Sequence, residues 1–513
     1  MQTFSRLRRA GSALCVLLAL GAFSHASLAW AQQGRPQREE SQQQDRGEKA
    51  RDDARKFPAD STTEHTLELP GRTLKFTATL GSIPLYDGEG GPLLAEVGFI
   101  AFQQAGGDPA RRPVTFAFNG GPGAASAYLN LAAVGPWRVN LESPAPSAPA
   151  VAAPNPDTWL DFTDLVFIDP VGTGYSWSTA RGDDLRRRFW SVDADIQGLA
   201  TVIRKWVEKN GRQASPKVVL GESYGGYRAP RLARELQTGQ AVGISGVAML
   251  SPVLDFAWRF QPRHSPMRWV TELPSMAAAN MGSPDPRALE EVERYAAGEF
   301  MADLLKGPND QAAVDRMTQK VSSLTGLDAE LVRKLAGRVD IGTFVRERQR
   351  GRLASVYDAT ISGYDPQPFS QGAGHADDPV LDAMEAPLSA AATALYRRLG
   401  WKIDRPYHLL NREVSNQWQW GGRRSAPEAL GALRDALALD PNLKAIVAHG
   451  ATDLVTPYFE NKLLLAQLPK MGSPDRLRLL VYPGGHMFYT RDEARGAFRA
   501  DAQQLFRSAQ PSQ

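Results

Sequence analysis

At 513 residues the chain is long enough for a large core, in one oversized domain or in two. Apolar residues make up 42% and charged residues 22%, the balance of an ordinary soluble globular protein. A formal charge of +3 gives no reason to expect nucleic acid or an anionic membrane as a partner.

The N-terminus departs from this average. Arg6, Arg8 and Arg9 precede an apolar run over residues 13–23 and the small-residue site Ala29-Trp30-Ala31. That order of basic, apolar and small residues predicts a secretory signal peptide over 1–31. The run is too short to span a bilayer comfortably. Cleavage after Ala31 would remove three arginines and no acid, taking the charge from +3 to zero, and with them Cys15, the only cysteine. The chain so released would be exported, to the periplasm or the extracellular space. It would lack thiols, which excludes disulfides, thiolate catalysis and cysteine-ligated metals. Residues 32–57 are rich in Gln, Arg and acids and almost free of apolar side chains, so they are expected to form a disordered polar leader.

The catalytic domain is expected over 58–513. From about Glu64, Thr66–Leu69, Leu74–Thr79 and Val97–Phe102 read as antiparallel strands joined by turns near Gly71 and Gly88. Short apolar runs then alternate with helical patterns: Val114–Phe118, Leu165–Ile168, Val218–Leu220, Val247–Leu250, Ala445–Ala448 and Leu479–Tyr482. Between two of them, Val192, Ile196, Leu199, Ile203 and Val207 form one helical stripe, with Ser191 as N-cap and Gly211 beyond the end. Such alternation predicts an α/β fold, a mostly parallel central sheet with helices on both faces. Residues of about 255–410 interrupt it. Helices are expected over 289–305 and 311–335, and residues 355–374 are rich in Gly, Pro and Asp. Flanked by sheet strands, this segment reads as a largely helical cap. Glu290, Glu291 and Glu293 read as a solvated helix face, and Arg186, Arg187 and Arg188 as surface charge.

Four segments carry chemistry. Gly221-Glu222-Ser223-Tyr224-Gly225 follows a strand and opens a helix. A serine that attacks a carbonyl needs its hydroxyl held clear on a tight turn, with small residues two positions either side. A helix N-terminus there points backbone N–H groups at a developing oxyanion. Ser223 is therefore the candidate nucleophile and the Tyr224 N–H a candidate oxyanion donor. The glycine-rich turn Asn119–Gly123, after Val114–Phe118, offers another bare N–H. Of the six histidines left after cleavage, His486 is best placed, directly after a strand in a Gly-Gly loop. The strand before it leads to Asp453. The order Ser223, Asp453, His486 is that of α/β-hydrolases, each residue following a predicted strand. No His, Asp and Glu cluster has metal-ligand spacing, so no metal or other cofactor is implied.

These segments together resemble the serine carboxypeptidases, the family of carboxypeptidase Y and cathepsin A. The blocks are Asn119-Gly120-Gly121-Pro122-Gly123 with Ser126; Asn155-Pro156 through Leu165, Asp169-Pro170, Gly172, Gly174 and Ser176; Gly221–Tyr227; and the loops of Asp453 and His486. The resemblance implies release of the C-terminal amino acid from a peptide through an acyl-enzyme. It implies Ser223, Asp453 and His486 as catalytic residues and the N–H groups of Gly121 and Tyr224 as the oxyanion hole. It also implies Asn119 and Glu222 as the groups that bond the substrate's terminal carboxylate, with Tyr128 lining the leaving-residue pocket. Two departures stand out. Ala133 occupies the place of a family glutamate that also contacts that carboxylate, leaving Arg138 or a cap residue to help and a less pronounced acid optimum. Ala124 replaces a disulfide cysteine, in keeping with a bacterial branch. A serine esterase or acyltransferase on the same fold is the alternative, and an inactive binding protein a further one. The expected partner is a peptide with a free C-terminus, with no nucleic acid and, after signal cleavage, no membrane. Monomer and homodimer are both left open.

Overall fold

The computed structural model describes residues 56–508 apart from 107, 261, 263, 283–285, 370–376 and 422–425. By its contacts the chain separates into residues 1–54 and 55–513, and only the second unit holds described residues. The expected signal peptide, most of the polar leader and the end of the Gly-, Pro- and Asp-rich stretch lie outside them. The end of the leader is described. Phe57 is buried against Trp401 with ring centroids 5.1 Å apart.

Nine strands form one continuous path. β1 (Ser61–Leu69), β2 (Arg72–Tyr86) and β3 (Leu93–Gln104) are an antiparallel meander. β4 (Val114–Phe118), β5 (Asp164–Ile168), β6 (Lys217–Glu222), β7 (Gly246–Leu250), β8 (Lys444–Gly450) and β9 (Leu477–Tyr482) are mutually parallel. The order is β1-β2-β3-β5-β4-β6-β7-β8-β9, with a two-residue strand, Trp177–Ser178, beside β3. β5, β4, β6, β7 and β8 are buried along nearly their whole length because both faces are covered, whereas the edge strand β9 is only half-buried. Alternate residues nevertheless enter different cores. Val219, Val247, Met249 and Val447 join one with the helices α1 (Val192–Lys209) and α2 (Tyr224–Thr238). Leu220, Ala248, Leu250 and Ala448 face the other.

In α1 the stripe Val192, Ile196, Leu199, Ile203 and Val207 is buried as expected. Ser191 holds the N-cap position, but its side chain makes no cap hydrogen bond. Between β7 and β8 the chain leaves the sheet for α3 (Met267–Met281), α4 (Pro286–Tyr295), α5 (Gln311–Thr325), α6 (Ala329–Lys334) and α7 (Ile341–Glu347). Met276, Phe300, Met317 and Phe344 are buried in a third core of their own, which Leu454 and Tyr458 join from beyond β8. The segment then returns as α8 (Leu381–Arg398), where Met384, Leu388 and Tyr396 enter the sheet's second core instead. The helix expected over 311–335 is two. Gly326, at φ +74°, ends α5 in the left-handed region, and Asp328 caps α6 through the Glu330 and Leu331 amides. The solvated face expected of α4 also fails at one position, since Glu293 is buried in an ion pair with Lys462.

α9 (Leu430–Leu439) precedes β8, α10 (Tyr458–Leu465) follows it, and α11 (Asp492–Ser508) ends the described chain. No helix among the described residues is long and apolar enough to cross a membrane.

Candidate active site

The site forms where β4, β6, β8 and β9 end. β6 passes through Ser223 into α2 with the serine at φ 59°, ψ −121°. That backbone conformation is rare for a residue with a side chain and stores strain of about 1–3 kcal/mol. Three anchors hold it there: the Ser223 N–H donates to Leu250 O at 2.8 Å, the Tyr227 N–H donates to Ser223 O at 3.1 Å, and glycines flank the turn. A Cβ on Gly221 would lie 1.9 Å from Gly225 O, and one on Gly225 would lie 2.4 Å from Phe118 O. Only glycine fits either place.

β8 leads to Asp453 and β9 to His486, and the two side chains meet. His486 Nδ1 lies 2.8 Å from Asp453 Oδ2. The same carboxylate oxygen accepts the Thr456 hydroxyl at 2.6 Å, and Oδ1 accepts the Val455 and Thr456 amides at 2.8 and 2.9 Å. Burial alone would raise the Asp453 pKa, but His486 and these hydrogen bonds outweigh it, and the carboxyl sits below its ordinary value. Burial would likewise lower that of His486. The charge and hydrogen bond of Asp453, with the charge of Glu222, win and raise it. The His486 N–H donates to Tyr357 O at 2.5 Å, and the Tyr357 ring stands edge-on to the imidazole with centroids 5.3 Å apart. Tyr357, in the segment between β7 and β8, thus holds the histidine loop. His449 is buried with Nε2 on the Asn461 amide, and burial lowers its pKa to about 4, so it is a neutral core residue.

Asn119–Gly123 runs against the serine turn. A Cβ on Gly120 would stand 2.6 Å from the Tyr224 amide nitrogen, and Gly121 has φ +97°. Arg228 of α2 fixes this loop from beneath, donating to Asn119 O at 2.8 Å while paired with buried Asp195. The Asn119 side chain accepts the Leu129 N–H at 2.9 Å and donates to Glu222 Oε2. Tyr489 donates to that same oxygen at 2.8 Å. Burial raises the Glu222 pKa to about 7, against the opposing effects of His486, the Tyr489 hydroxyl and the Asn119 amide.

Ser223, His486, Glu222, Asn119, Gly121 and Tyr128 line one cleft. Its other walls are largely apolar and include Leu381, Leu410, Val455 and Met487. Of the residues singled out in the sequence, Asp453 and Tyr224 lie just behind this surface, buried. Ala133 is buried outside it, where its carbonyl accepts the Asn155 amide. Arg138 is turned to Asp492 at 3.2 Å. Thr456, Tyr357, Tyr489 and Arg228 escape the sequence reading. Thr456 and Tyr489 each lie three residues after a singled-out residue, a proximity that could have marked them.

A family model described as serine carboxypeptidase matches residues 96–350. Serine carboxypeptidase-like 20 of Arabidopsis thaliana is 29% identical over 151 residues, 29% of this chain and 28% of that protein. A pheromone-processing carboxypeptidase of Schizosaccharomyces pombe is 30% identical over 133 residues, 26% of this chain and 24% of that protein. The matched stretch is thus about a quarter of these relatives' length. Among solved structures, a prohormone-processing carboxypeptidase from Saccharomyces cerevisiae superposes with a TM-score of 0.54 at 15% identity. It covers 84% of this chain and 91% of that one, a likeness of fold.

Proposed function

The chain belongs to the serine carboxypeptidase family, and on that premise we propose that it removes the C-terminal amino acid from peptides through an acyl-enzyme on Ser223. The observation that supports this most is the meeting, in one cleft, of Ser223 and the Asp453-paired His486 with the Asn119–Glu222 pair. His486 takes the proton of the Ser223 hydroxyl as the oxygen attacks the scissile carbonyl, while Asp453 holds the imidazole and balances its charge. The N–H groups of Gly121 and Tyr224 receive the oxyanion. One such donor is worth about 3 kcal/mol of transition-state stabilisation. His486 then protonates the departing amine, and water activated by the same histidine releases the acyl group.

The substrate's terminal carboxylate binds to Asn119 and to Glu222 in its protonated form, since two ionised carboxylates repel at hydrogen-bond distance. With the Glu222 pKa at about 7, this recognition extends toward neutral pH. Tyr128 and the apolar walls receive the leaving residue. The basic, apolar and small-residue order of residues 1–31 supports export, to the periplasm or outside the cell.

Residues 32–513, assayed with N-blocked peptides bearing either a free C-terminal carboxylate or an amide, test the reading, with Ser223→Ala as control. Free amino acid released from the acid form alone, and not by the variant, is expected. Equal attack on both, or turnover of simple esters only, would put an esterase or acyltransferase in its place. Failure of an active-site serine probe to label Ser223 would indicate an inactive scaffold.

A further inference from the structure

Glu222 is a buried carboxyl whose two hydrogen-bond donors reach it from opposite ends of the chain and converge on one oxygen. The Asn119 amide comes from the loop after β4 and the Tyr489 hydroxyl from the turn after β9, and both donate to Oε2. Oε1 accepts no hydrogen bond from the described residues, and Glu222 lines the cleft beside Ser223. The described residues lining that cleft include no Lys or Arg. Apart from His486, a bound carboxylate therefore meets no titratable cation there, and at Glu222 itself only a proton makes the contact attractive.

We propose that Tyr489 is a positioning residue for substrate recognition: by donating to Oε2 alongside Asn119, it fixes the Glu222 carboxyl with Oε1 facing the cleft, as the atom whose proton is offered to the substrate's terminal carboxylate. This rests on the carboxypeptidase reading and deepens it. A carboxyl whose Oε2 accepts two hydrogen bonds is held as the carbonyl oxygen when protonated, which puts the proton on Oε1. Tyr489 can do this across the working pH range. It is fully buried, and burial and the charge of Glu222 raise its hydroxyl pKa well above the ordinary value. The titratable groups that face Glu222 are His486 and Asp453 from the loops after β9 and β8, and the phenols of Tyr489, Tyr128 and Tyr357. His486 is catalytically useful when neutral and Glu222 when protonated, so the two limbs of the pH profile belong to the pair.

Tyr489→Phe keeps the ring and removes the donor. The parent and variant are compared from pH 4 to 9 on an N-blocked peptide with a free C-terminal carboxylate and on its C-terminal methyl ester. For the acid at pH 5, KM is expected to rise about tenfold with kcat within about twofold. A donor to the ionised form lowers a carboxyl pKa, so its loss moves the alkaline limb of kcat/KM up by about one pH unit. The ester is expected to show neither change. In a Glu222→Gln background, where nothing titrates at that position, the additional Tyr489→Phe change is expected to leave the limb where it is. Equal losses on acid and ester, an unmoved alkaline limb, or a limb that still shifts in the Gln background would each overturn the inference. A parent that shows no preference for the acid would overturn the carboxypeptidase reading together with it. A parent that prefers the acid while the variant behaves identically would overturn only the role of Tyr489.

Discussion

A Cβ added to Gly120 would stand 2.6 Å from the Tyr224 nitrogen, 2.7 Å from Glu222 O and 2.8 Å from Ser223 Cβ. All three belong to the strained serine turn, and none is the end of a flexible side chain, so one backbone must move. Gly120→Ala is therefore expected to pull the Gly121 donor away from the oxyanion and lower kcat by about 10²–10³, the usual effect of losing one donor. Because the loss falls on a step common to all acyl substrates, peptide and ester turnover should decline together. Wild-type kcat on both would show that the loop is not a donor. Asp453→Asn acts differently. It removes the charge that raises the His486 pKa, so kcat should fall by about 10⁴. The acid limb of the pH profile should move to lower pH; an unmoved limb would count against it. At this scale the sequence was informative where a candidate residue directly follows a strand, as Ser223, Asp453 and His486 do. It was silent on Tyr489, whose partner Glu222 lies 267 residues earlier. No local periodicity encodes a contact made by two loops across the sheet.

The elements divide in the same way. Val218–Leu220, Val247–Leu250 and Ala445–Ala448 are strands buried on both faces, and a continuous apolar run is legible without knowing its neighbours. The boundary between α5 and α6 was marked by Gly326 and Asp328, yet apolar spacing continues across it, and periodicity alone reads through the break. Which core α8 joins is invisible in its own sequence, since its apolar side chains would suit either. The third core makes the helical segment between β7 and β8 testable as an element. Phe344 is fully buried there, in the cluster that includes Met317 and Phe300 and is shared with Leu454 next to Asp453. Phe344→Ala is expected to cost about 3–5 kcal/mol in urea unfolding followed by tryptophan fluorescence. Limited proteolysis should cut first within residues 256–347. An unchanged midpoint would mean that this cluster does not hold the segment.

For the molecule as a whole, the buried acids set how stability depends on pH. Burial, the largest cause in each case, raises the pKa of Asp169 to about 6, of Glu222 to about 7 and of Glu460 to about 8. An unfolded chain releases these protons near the ordinary carboxyl values, so the folded state holds more protons from about pH 4.5 to 8. Where the native state binds the extra proton, stability falls as pH rises. His486, also raised, contributes with the same sign. Two groups oppose it lower down. The lowered pKa of Asp453 adds stability as pH climbs into the carboxylate range, and His449, held neutral at about 4, adds it up to the ordinary histidine value. Above about pH 6.5 these two are spent and the raised acids decide together with His486, while Lys217, lowered to about 8 by burial, opposes them only from there upward. Glu460 reaches furthest, because Glu272, Asp255 and Asp453 reinforce burial and Arg259 only partly offsets them. In Glu460→Gln no proton has to leave. Melting temperatures measured at half-unit steps from pH 5 to 8.5 should fall with pH in the parent and far less in the variant. The difference, variant minus parent, should become steadily more positive above about pH 6. Two parallel curves would mean that Glu460 is already ionised in the folded protein and that another group governs the alkaline loss.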